Sequence, residues 1–222
     1  MIRYSFVIVA GKDNRDKMES FINDYTDSQV CLDSRIVEAK VEAQKKYMEK
    51  NDGSINDYSD SQYYSGAGRS GLSINLPIDS FVVDYIRVHA DRLAKEGFKK
   101  SIYEGLLKEN NRATIGCIYY EEEPFDDSTE FVKYQFSAAT NDMSRLFEKS
   151  SSIREWFVKL SKASHAKISY MNLESEGNRI IYYNNKEVDI FLNGESYFDL
   201  EIDEFCSAIN TFSIAVKDYF DG

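Results

Sequence analysis

The sequence predicts an α+β fold: a largely antiparallel sheet, made of a hairpin and a meander, covered by several helices in a single domain over residues 1–222. Three observations predict it. Strand-like runs at Arg112–Tyr120 and Thr129–Ala138 flank a short acidic connection, and three more runs between His165 and Leu192 are joined by polar turns, connections too short for parallel crossovers. Stretches of helical periodicity stand around them, the clearest running from Thr140 to Lys162 and holding the single tryptophan. No hinge-like linker or internal repeat divides the chain, and each half carries its own core-forming side chains.

The first strand is Ile2–Ala10. Ile2, Tyr4, Phe6, Ile8 and Ala10 share one face while Val7 and Val9 make the other apolar, which suits a strand near the centre of the sheet. Asp13 is placed to cap the following helix, whose buried stripe is Met18, Phe21, Ile22 and Tyr25. Val30–Leu32 reads as a short strand and Ser34–Glu49 as a peripheral helix with a thin apolar face of Val37, Val41 and Met48. Asn51–Gly71 is polar, glycine-containing and without periodicity, long enough for a mobile or functional loop. Its Gly66, Gly68 and Gly71 have dinucleotide-loop spacing, but a strand (Leu72–Leu76) follows them where that site needs a helix.

Pro77 and Asp79 open a helix with the stripe Val82, Tyr85, Ile86, His89 and Leu93, ended by Gly97. Lys99–Asn111 reads as a further helix. After the hairpin, Thr140 or Asn141 caps Met143, Leu146 and Phe147, and Ser152 with Glu155 opens Ile153, Trp156, Phe157 and Leu160, giving one long helix or two abutting ones. The meander follows, turning at Glu176–Asn178 and at Asn184–Asn185. A last helix, about Asp203–Tyr219, is predicted to cover the sheet with Phe205, Cys206, Ile209, Phe212 and Val216.

Composition narrows function more than it defines it. The 27 basic against 38 acidic residues give a net charge of −11, which repels nucleic-acid phosphates and anionic membranes and suits a basic partner. No apolar run reaches the roughly 18 residues needed to span a bilayer, and Phe6–Ala10 is too short for a secretory signal, so a cytoplasmic protein is expected. Cys31, Cys117 and Cys206 are odd in number and widely separated, as reduced core residues are. No zinc spacing, EF-hand, Walker loop or nucleophile elbow occurs, and no cofactor, metal or catalytic residue is assigned. His89 reads as a partly buried helix residue, and only a chance approach would pair Cys117 with His165. The cations Arg87, Arg92, Lys95, Lys99 and Lys100 alternate with Asp91 and Glu96, as on a solvated helix face.

The densest feature is the acidic run Glu121, Glu122, Glu123, Pro124, Phe125, Asp126 and Asp127, with Glu130 beyond, placed at the tip of the predicted hairpin. Six carboxylates around Phe125 form a candidate contact for a positively charged protein surface, or else a solvated tip that blocks edge pairing. The acidic composition, the hairpin, the run KYQFSAATNDMSRLF (Lys133–Phe147) and the ending FLNGESYFDLEIDEFCSAINTF (Phe191–Phe212) together resemble bacterial immunity proteins of contact-dependent growth inhibition and polymorphic toxin systems. That resemblance implies a non-enzymatic protein that binds and neutralises a cognate toxin, often a basic nuclease; it assigns no residue. An enzyme with a site invisible in the sequence, or a phage or structural interaction protein, is the alternative.

Overall fold

The computed structural model describes residues 4–27, 70–97, 106–124, 130–192 and 207. In chain order, β1 (Ser5–Gly11) runs through a 3-10 turn (Lys12–Asn14) into α1 (Arg15–Asn23), and β2 (Ser70–Pro77) precedes α2 (Ser80–Lys95). Then come β3 (Leu107–Lys108), β4 (Arg112–Pro124), β5 (Phe131–Ala138), α3 (Asn141–Lys149) and α4 (Ser151–Ala163). The meander β6 (Ile168–Asn172), β7 (Asn178–Tyr183) and β8 (Lys186–Leu192) completes the sheet. The fold is α+β: eight strands, ordered β2-β4-β5-β1-β6-β7-β8 with β3 also on β4, form an antiparallel sheet on which the four described helices pack.

β1 is the central strand because both of its faces are apolar. It bonds β5 on one side (Phe6 opposite Phe136) and β6 on the other (Phe6 opposite Met171), and so joins the hairpin half to the meander half. Tyr4, Phe6, Ile8 and Ala10 enter the main core beneath the helices, while Val7 and Val9 enter a second cluster with Ile168, Tyr170, Ile180 and Leu192 on the opposite face. In the main core the Phe6 ring stacks on Phe157 of α4 at 3.8 Å, and Trp156 lies edge-on to Phe157 and Tyr25. Burying aromatic surface of this kind dominates the stability of a small core.

Caps set the helix ends. Thr140 accepts a hydrogen bond from the Met143 N–H, and Ser150, in extended conformation, accepts one from Ile153, so 140–163 forms two abutting helices. The cap of α4 is thus Ser150 rather than Ser152, because the chain leaves the helical region at Ser150 and only there does a hydroxyl reach the third N–H. Asp13 does not cap α1: it lies inside the 3-10 turn, and the capping position is Asn14, whose side chain caps no backbone N–H. Asn184 and Asn185 take positive φ, making the tight β7–β8 turn that the dipeptide suggests.

The helix expected over Lys99–Asn111 is corrected at its C-terminal end. Leu107–Lys108 is a short strand paired with Arg112 and Ala113, and Asn110 and Asn111 both adopt left-handed φ, which reverses the chain. β4 also runs four residues past Tyr120, to Pro124. Inside it, Ile115 and Gly116 stand against a single β2 residue, and Gly116 takes φ +121°, a bulge that glycine adopts without strain. Val30–Leu32, the 34–49 helix, residues 51–69 of the polar loop and, apart from Ser207, the 203–219 helix lie outside the described residues.

Candidate functional site

The acidic run divides along a strand instead of crowding a tip. Glu121, Glu122 and Glu123 belong to β4, opposite Gln135, Tyr134 and Lys133 of β5, so successive carboxylates point to opposite faces. Phe125, Asp126 and Asp127 lie outside the described residues. Glu122 is a correction to the expected contact set, since it points into the core and is only 1% exposed. Both of its oxygens are engaged by Arg15 at the start of α1, with Nε donating to Oε1 at 3.2 Å and Nη2 to Oε2, and the Tyr120 hydroxyl donates to Oε1 as well. Arg15 is itself buried. Burial first, and then the adjacent carboxylate, push the Tyr120 hydroxyl well above its ordinary pKa, so it stays a donor.

This cluster was not legible as such, because an arginine in the first turn of a helix ordinarily faces water. Its one signal is that the β4 alternation, Ile118, Tyr120, then position 122, continues the inward-facing set.

Glu121 and Glu123 stand on the other face, half-buried, and Glu123 pairs with Lys133 at 2.6 Å. With them on this face are the exposed Gly71, Ser73 and Cys117 and the half-buried Tyr119 and Gln135. The second face of the sheet is therefore polar over β2, β4 and β5 and apolar over β1 and β6–β8, and no described helix contributes to either part. Cys117 is exposed, not in the core, because it lies on the outward parity of β4 opposite Ser73. His165 sits in the exposed turn before β6, with β5 and β1 intervening between its strand and that of Cys117. Cys31 and Cys206 lie outside the described residues.

On the helix-covered side, α2 and α3 enclose a groove of about 490 Å³. Its floor and walls include Phe81, Tyr85, Val88, His89 and Arg92 of α2 and Asp142, Arg145, Leu146 and Lys149 of α3. His89 packs on the Tyr85 ring with centroids 4.4 Å apart, and its Nε2 is 3.7 Å from the Asp142 carboxylate, beyond hydrogen-bond length. Burial, and then the Arg92 charge, hold the imidazole below its ordinary pKa, against the opposing pull of Asp142. Among the described residues that line the groove there is no serine, threonine or cysteine, and the hydroxyl nearest His89 in the chain is the Tyr85 phenol. Arg92 reaches into the groove, 3.6 Å from Asp142, while Arg87 forms the solvated pair with Asp84 expected of a helix surface. Lys99 and Lys100 lie outside the described residues.

Among the described residues no three metal-ligating side chains converge, and no helix is long and apolar enough to cross a membrane. Compared with family models, curated proteins and solved structures, the chain matches none.

Proposed function

We propose that this protein is a non-enzymatic binding protein of the immunity kind, which neutralises a cognate toxin by seating a basic surface of it on the polar half of the open sheet face. One observation carries the proposal: Glu121 and Glu123 project from the same side of β4, while Glu122 between them is anchored inward by Arg15. Carboxylates on a strand fixed in this way need little ordering on binding, and pre-organisation is where affinity is gained most cheaply. The net charge of −11 adds long-range attraction for a cationic partner. Phe125, Asp126 and Asp127, which continue from β4, extend the proposed contact in sequence.

The test is the double variant Glu121→Lys/Glu123→Lys, titrated against the cognate toxin domain that this reading requires. Association should slow roughly tenfold and lose part of its salt dependence, because the local field at the contact is inverted while most of the net negative charge remains. The melting temperature should fall only modestly, through loss of the Glu123–Lys133 pair and the like charges left opposite each other, since both side chains lie outside the main core. Unchanged affinity and undiminished protection from the toxin would exclude this face as the binding surface.

A further inference from the structure

The α2–α3 groove gathers exposed apolar side chains of the described surface. Four large apolar side chains are conspicuously exposed among the described residues, and two of them, Phe81 (52%) and Val88 (65%), line this one groove. With Tyr85 and Arg92 they fall at i, i+4, i+7 and i+11, a straight stripe along α2 about 16 Å long, or about three helical turns. Val82, Ile86 and Ala90 of the same helix face the core and Tyr85 packs against its edge, so the core leaves Phe81 and Val88 exposed on the groove side of α2.

The facing wall differs in charge from the chain as a whole. Arg145 and Lys149, one turn apart on α3, are both exposed, and neither has an ion-pair partner among the described residues. Asp142, in contrast, is already engaged by Arg92 and lies beside His89. In a protein of net charge −11, two unpaired cations along an apolar trough ask for an anionic amphiphile. A second copy of the chain, docked groove to groove about a two-fold axis, would bring these like charges together.

We propose that this groove seats a helix of a partner protein, one that lays apolar side chains on Phe81, Tyr85 and Val88 and presents carboxylates to Arg145 and Lys149. Helix-in-groove binding uses anchors at this spacing, and the elongated stripe matches a helix better than a compact ligand. The groove lies on the helix-covered side of the sheet, whereas Glu121 and Glu123 stand on the opposite face, so this site is independent of the toxin-binding proposal and either can fail alone.

The probe is a fluorescent 18-residue helical peptide with Leu at i, i+4, i+7 and i+11 and a flank of Glu, alongside a copy with Lys replacing Glu. Both are titrated by anisotropy into the full-length protein. The Glu peptide should bind at least tenfold more tightly than the Lys peptide. Phe81→Ser/Val88→Ser should abolish that binding, and Arg145→Glu/Lys149→Glu should reverse the preference, with melting temperatures unchanged because all four side chains are solvent-exposed. Equal binding of both peptides, absence of binding, or indifference to both variants overturns the proposal. So does displacement of the Glu peptide by dodecanoate at equal concentration, which would make the groove a small-amphiphile site. Groove-dependent dimers in sedimentation would assign it to a second copy and overturn the proposal equally.

Discussion

Glu122 illustrates how one side chain changes role when it crosses from a strand's open face to its buried one. Fully enclosed with Arg15 and Tyr120, it ties α1 to β4, and its buried charge is met by Arg15 at both oxygens and by the Tyr120 hydroxyl at Oε1. Truncating either member, Arg15→Ala or Glu122→Ala, should cost about 3–5 kcal/mol, since each leaves an uncompensated buried charge. Replacing both, Arg15→Ala with Glu122→Ala, should cost far less than the sum, because neither charge is then left buried alone. Urea denaturation of the four proteins as a double-mutant cycle measures this directly, and additive losses would mean that the two groups are not coupled. Neighbouring Tyr134, whose hydroxyl has no hydrogen-bond partner among the described residues, is raised by burial and then by Glu122, so it too stays protonated beside the pair.

Among the elements, α2 and α4 are started by one carboxylate. Asp79 Oδ1 accepts the Val82 N–H at 3.1 Å, and Oδ2 accepts the Ser150 hydroxyl at 2.9 Å and the Ser152 N–H at 3.2 Å. Partial burial works against the charged form, but these donors and the adjoining helix N-termini outweigh it and hold Asp79 below the ordinary carboxylate range. Asp79→Ala should therefore cost about 1–2 kcal/mol near neutral pH, the usual worth of a lost cap. Because the folded pKa is depressed, this contribution is complete above the unfolded value of about 3.9 and disappears as pH falls below it through the folded value. The gap between wild type and variant, followed by denaturation from pH 7 to pH 2, should thus close at the acid end. A gap that stays constant would assign the effect to shape instead of charge.

For the molecule as a whole, β1 decides cooperativity, because the hairpin and the meander touch through it. Phe6 stacks on Phe157, packs on Phe147 and lies beneath both helices of the β5–β6 connection. Phe6→Ala should lower stability by about 3–5 kcal/mol and shift one calorimetric transition as a unit. A variant that splits the transition in two would show that the halves fold separately.

The residue alternation of β1, the helix starts at Thr140–Asn141 and at Asp79, the Asn184–Asn185 turn and the antiparallel hairpin and meander were all determined by the sequence alone, because short-range periodicity and turn chemistry suffice for them. The same chemistry was present at Asn110–Asn111 and was masked by the helical spacing of Ile102, Leu106 and Leu107. Site composition lay beyond that range. The burial of Glu122 depends on which β5 residue stands opposite and on an arginine 107 positions away, and the groove exists only because α3 crosses α2 on the side that the core leaves uncovered. Local patterns determine which face a side chain takes along its own strand or helix. Only packing between distant elements decides whether that face meets core, water or a partner.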